Sequence, residues 1–92
     1  MPFRYVYVLV STNHPDRHHV GISSNLKARL AAHNQGEVAL TAKHAPWELA
    51  NAIAFRTEKK ALLFARFLKS TSGRAFCQRH FGLKTSSRRR PT

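Results

Sequence analysis

A chain of 92 residues holds one modest hydrophobic core and is too short for two, and its 42% of hydrophobic residues is ordinary for a soluble globular domain. The charge is not ordinary: sixteen Lys and Arg stand against four acids, a formal net charge of +12, which destabilises a compact state unless a polyanion is near. Nucleic acid is therefore the leading partner, ahead of an anionic membrane surface or an acidic protein.

The four acids, Asp16, Glu37, Glu48 and Glu58, fall in two expected loops, a strand and a helix start. That scatter argues against a two-carboxylate acid–base site and leaves any metal few protein ligands. Cys77 is the single cysteine, so no intrachain disulfide is possible and a reducing, cytoplasmic location fits best. The six histidines lack zinc-ligand spacing. No apolar run reaches membrane-spanning length, and the opening YVYVLV is too short and badly flanked for a signal peptide.

In chain order, RYVYVLVS from Arg4 to Ser11 reads as a largely buried strand by its Val and Tyr content. TNHPDR supplies turn chemistry, and HHVGIS from His18 to Ser23 closes an antiparallel hairpin with a longer loop. Gly21 predicts a bulge or a close backbone approach, or simply a strand end. Ser24 or Asn25 caps the next helix, LKARLAAHN, whose Leu26 and Leu30 form an apolar stripe. Arg29 and His33 share the neighbouring face, and Gly36 stops the helix.

A loop then runs through Pro46 into a strand from about Trp47 to Phe55. Thr57 caps a long helix, EKKALLFARFLKS, with Glu58 in its favourable first turn. After a break at Ser72-Gly73 a short helix, RAFCQRHF, turns Phe76 inward, with His80 or Cys77 beside it. The tail from Lys84, KTSSRRRPT, carries no large apolar residue and is expected to be disordered. The chain thus reads as a folded domain over 1–83 and a basic tail over 84–92. The fold class is α+β, a three-stranded, mainly antiparallel sheet flanked by helices in the order β-β-α-β-α-α.

Most of the positive charge lies within the folded part, at Lys27, Arg29, Lys43, Arg56, Lys59, Lys60, Arg66, Lys69, Arg74 and Arg79. Such a surface tracks phosphates with strong salt dependence. Four polar residues can converge with it: Tyr7, His19, Arg29 and His33. Phosphodiester cleavage needs a base for water, a cation at the nonbridging oxygens and help for the leaving oxygen. A free tyrosine titrates near pH ~10 and needs a cation close by to serve as a base. Arg29 suits a phosphate by its forked donors, and His33 carries protons near neutral pH. Each has a purely structural reading as well: Tyr7 as a core aromatic, Arg29 as a solvated helix residue, His33 as a satisfied edge histidine.

Tyr7 in VYVL, a loop, HVGIS and then NLKARLAAHNQG together resemble the GIY-YIG nuclease superfamily. Thr41, the Pro46-Trp47 pair and FLKSTSGRAF over 67–76 narrow the likeness to a small single-domain bacterial subfamily that resembles the nuclease domain of the excision-repair C subunit. The resemblance spans roughly Tyr5 to Phe81. It implies a DNA endonuclease with a divalent cofactor, Mg²⁺ or Mn²⁺, and DNA as the substrate, with single-stranded and branched forms among the candidates and no preferred structure set by the sequence. It makes Tyr7 the activator of the attacking water, His19 the stand-in for a second tyrosine, Arg29 the ligand of the scissile phosphate and His33 a proton relay or a phosphate contact. Gly21, Lys27, Lys43, Lys69 and Arg74 are then expected to face the nucleic acid.

One position departs sharply. The family pattern has a metal-binding glutamate where this chain has Ala65. A methyl group cannot replace the oxygen ligands of a hard cation, and Glu58 lies seven residues upstream, roughly 10 Å along the helix. On pattern alone, Ala65 is a good helix former in a packed core. Against the family pattern it is a lost ligand, introduced or natural, and the nuclease is expected to be impaired. Two other readings stand beside it: a non-catalytic nucleic-acid-binding module using the same basic cleft, and a basic structural protein that binds RNA or an assembly.

Overall fold

The computed structural model describes residues 3–83; the basic tail expected over 84–92 lies outside the described residues. The first strand, β1 (Arg4–Ser11), pairs antiparallel on one side with β2 (His18–Ser23) and on the other with β3 (Trp47–Phe55), giving the sheet order β2-β1-β3. As the central strand, β1 is covered on both faces. Val6, Tyr7, Val8 and Leu9 are consecutively buried, which is why its sequence shows an unbroken apolar run rather than an alternation.

Helices cover the two faces. On one, α3 (Glu58–Leu68) and α4 (Thr71–Phe81) build the larger core with Ala61, Ala65, Leu68 and Cys77 packed on Val6 and Val8. On the other, α1 (Leu26–Asn34) lays Leu26 and Leu30 against Tyr7, Leu9 and Trp47. Full burial of each large aliphatic side chain contributes about 1.5–3 kcal/mol. Among the described residues no helix is long and apolar enough to cross a membrane.

The caps follow the residue types. The Asn25 side chain accepts from the Ala28 amide at 3.0 Å, so the α1 cap is Asn25 rather than Ser24. Thr57 accepts from the Lys60 amide at 3.2 Å, and Gly36, with φ of 76°, lets the chain leave α1.

Two details differ from the sequence reading. A short helix, α2 (Ala39–Ala42), occupies part of the stretch expected to be loop before Pro46. The Ser-Gly break is absent: Ser70 caps α4, accepting from the Gly73 amide at 3.1 Å, so the helix begins at Thr71 and passes through Ser72-Gly73. Gly73 is buried there, and a glycine is required because a side chain at this turn would run into the backbone of Phe67 and Leu68. Of the three inward candidates on α4, Cys77 is buried, Phe76 half-buried and His80 exposed.

Candidate active site

Gly21 sits directly opposite Tyr7 in the β1–β2 register. The Tyr7 ring lies across it, so closely that an added Cβ would overlap the phenol oxygen and Cζ. Gly21 is neither a strand end nor a bulge, since β2 continues to Ser23; the register shift falls in β1–β3, between Val8 and Leu9. The close approach anticipated at this glycine is that of a side chain.

The Tyr7 hydroxyl is held from α1. Arg29 donates from Nε to it at 3.3 Å, and the hydroxyl stands 3.0 Å from His33 Nε2. The i, i+4 spacing of Arg29 and His33 sets both over the same strand residue. His33 is fully buried and its Nδ1 lies 2.6 Å from Thr41 Oγ1; Thr41 in turn donates to the Val38 carbonyl at 3.4 Å. One proton arrangement pairs every group. Arg29 donates to Tyr7, Tyr7 to His33 Nε2, His33 Nδ1–H to Thr41, and Thr41 to Val38. Burial, and then the Arg29 charge, hold the His33 pKa below its ordinary value, so the ring is neutral and Nε2 carries the lone pair that receives a proton from Tyr7.

The brace behind this chain is local. Trp47 donates from Nε1 to the Thr41 carbonyl at 2.9 Å. The Asn34 side chain takes both main-chain groups of Trp47, donating to its carbonyl at 3.1 Å and accepting from its amide. In the sequence Thr41 is only a pattern marker, Trp47 a pattern marker at a strand start, and Asn34 the end of a helix motif. No periodicity connects a threonine to a histidine eight residues earlier across a turn.

His19 completes a ring cluster, its centroid 4.8 Å from His33 and 6.1 Å from Tyr7. Its pKa is pushed down to about 4, by burial first and then by electrostatic coupling to His33, Lys69 and Arg29. A neutral His19 and an exposed Arg29, whose outer guanidinium nitrogens remain available, give a neutral proton acceptor beside a fixed cation.

Ala65 belongs to the opposite core, at 5% exposure beneath Val6 and Val8. It nevertheless borders a concavity of about 410 Å³ together with Gly21, Ile22, Leu62, Arg66 and Lys69. Because β2 is an edge strand, the two faces of the sheet meet around Gly21, with the Tyr7 hydroxyl on one side and Ala65 on the other. A second cavity, about 490 Å³, is lined along β2 by His18, His19 and Val20, with Arg17, Lys69 and Arg74 among its other walls. Lys69 and Arg74 therefore line clefts at the site. Lys27 and Lys43 are exposed and line neither.

These residues do not fit a divalent cation. Among the described residues no group of three or more His, Cys, Asp or Glu could hold a metal. Glu58 is exposed at the start of α3, paired with Arg4 at 3.4 Å.

The GIY-YIG catalytic domain matches residues 3–79. The chain belongs to the GIY-YIG family. No curated protein matches it. The three-stranded antiparallel sheet with its flanking helices is consistent with the GIY-YIG fold, and membership makes this a nuclease-family domain with nucleic acid as its general substrate class.

Proposed function

We propose that this GIY-YIG domain engages DNA at the Gly21 edge and retains the tyrosine half of a phosphodiesterase site while lacking its metal-binding carboxylate. The carrying observation is the Tyr7 hydroxyl held between Arg29 Nε and His33 Nε2, with Thr41 behind. Tyr7 gives its proton to His33 Nε2, and the resulting phenolate takes a proton from the attacking water as that oxygen bonds to phosphorus and the P–O bond to the leaving sugar oxygen breaks. The leaving oxygen is protonated from solvent, and the proton rests on His33 because Thr41 fixes its far nitrogen as a donor. Arg29 stabilises negative charge on the tyrosine oxygen and on the phosphate together. His19 stands in the same ring cluster as a neutral group able to accept a proton.

With Ala65 in the carboxylate position, hydrolysis by this chain is strongly impaired. A specific observation also favours the binding-module reading: the clefts at the site are lined by cations and a single acid, Asp16. The two readings part on a simple comparison. Salt-sensitive DNA binding that Arg29→Ala weakens, together with cleavage of single-stranded, double-stranded or branched DNA once Ala65→Glu is introduced, supports the impaired nuclease. Binding without cleavage in either form leaves the module.

A further inference from the structure

We propose that the cleft beside Ala65 is a phosphate site: Arg66 and Lys69 hold a nucleic-acid phosphate directly, where the family pattern places a carboxylate and its cation. The inference rests on the nucleic-acid reading above and goes beyond it, since it makes binding independent of divalent metal.

The cleft walls carry two cations, Arg66 and Lys69, and no acid; the rest of the lining is Gly21, Ile22, Leu62 and Ala65. A divalent cation entering here meets like charge and no oxygen side chain, whereas hard cations need several oxygen ligands. A phosphodiester meets the opposite: two donors for its oxygens, an apolar wall at Leu62 and Ile22 for the sugar, and a glycine that lets the backbone come close.

Lys69 also lines the neighbouring cavity, where Arg17 and Arg74 stand against a single acid, Asp16. The two concavities together follow β2 from His18 to Ile22, on the outer edge of the sheet. A strand of nucleic acid laid along this edge passes successive phosphates by Arg74, Lys69 and Arg66, and brings one of them beside Tyr7. Lys69 is the cation common to both concavities, which makes it the centre of the track. Its charge is felt at His19 as well, so its field already extends from the Ala65 cleft to the tyrosine side.

The test is fluorescence anisotropy with a labelled single-stranded oligonucleotide, in EDTA and in Mg²⁺ at matched ionic strength. The wild type is expected to bind equally well in both. Lys69→Ala and Arg66→Ala should each weaken binding about fivefold and lower the salt slope by about 0.7, the loss of one phosphate contact. Lys59→Ala and Lys60→Ala, on the same helix but lining neither cleft, serve as controls and should change less. Ala65→Glu should weaken binding in EDTA and recover with Mg²⁺, while the uncharged isostere Ala65→Gln should show no such metal response. Wild-type binding that needs Mg²⁺, or Lys69 and Arg66 variants that match the controls, overturns the phosphate site and leaves the nucleic-acid reading standing. No binding to any oligonucleotide in either buffer overturns both.

Discussion

Replacing Gly21 with alanine tests the packing that defines the site. The added Cβ would overlap the Tyr7 hydroxyl and Cζ and come within 2.9 Å of Cε2. Tyr7 is 2% exposed and pinned by His33 and Arg29, so the ring cannot swing aside without leaving them. Overpacking of this kind costs about 1–3 kcal/mol, and leaving the buried His33 Nε2 without its partner adds about 1–3 kcal/mol. Partial relaxation brings the expected total to about 2–4 kcal/mol, a fall in Tm of roughly 10–20 °C for a domain this small. Urea unfolding in two backgrounds isolates the cause. In a Tyr7→Leu protein the obstructing ring atoms are gone, and Gly21→Ala should then be neutral or stabilising by up to about 1 kcal/mol, because alanine is the better strand residue. An equal cost in both backgrounds, or no cost in the wild type, would refute the account of why a glycine stands there.

Gly73→Ala should be worse tolerated, at about 3 kcal/mol or more, because its Cβ would meet backbone atoms, Leu68 Cα at 2.5 Å and the Phe67 carbonyl carbon at 2.6 Å; urea midpoints check the order. Thr41→Val should cost about 1–3 kcal/mol by orphaning His33 Nδ1, with Thr41→Ser recovering most of it. Imidazole ¹⁵N shifts should show an Nδ1–H His33 in the wild type and in the serine variant but not in the valine variant. The depressed His19 pKa carries a pH dependence. The unfolded chain protonates near 6.5 and the folded chain near 4, so stability from this group is present above pH 6.5, is lost as pH falls between those values and is level below. At about 1.4 kcal/mol per pH unit, discounted for partial exposure and solvent screening, the loss is about 1–2 kcal/mol. Urea titrations at pH 7 and pH 4 should show a smaller drop in His19→Gln than in the wild type.

The sheet, its antiparallel hairpin and, among the described residues, three of the four helices were legible in the sequence because each carries a local signature: a run of Val and Tyr, a capping Asn or Thr, an apolar stripe. Two features were not. The four residues of α2 are too few to show a period, and their worth lies in placing Thr41 behind His33. Ser70-Thr71-Ser72-Gly73 looks like punctuation, yet Ser70 is a cap and Gly73 a contact point, because the close crossing of α3 and α4 demands a missing side chain where the local pattern suggests a break. Arg29 and His33 could be paired from their spacing, and Tyr7 and Gly21 from the hairpin. That both pairs meet at one hydroxyl depends on the sheet register and on the packing of α1, which only the tertiary structure supplies. Ala65 shows the reverse: it packs as an ordinary core alanine, and only the resemblance to the family pattern suggests the carboxylate we propose is lost there.

Single-turnover cleavage of end-labelled DNA by Ala65→Glu, with Mg²⁺ or Mn²⁺ and with the wild type and Ala65→Gln alongside, decides whether the domain lacks only a metal-binding carboxylate at position 65. We expect products from the glutamate variant alone, and their disappearance when Tyr7→Phe or Arg29→Ala is added. A folded, DNA-binding Ala65→Glu protein that cuts no substrate would contradict the claim, as would a wild type that cleaves as fast as the variant.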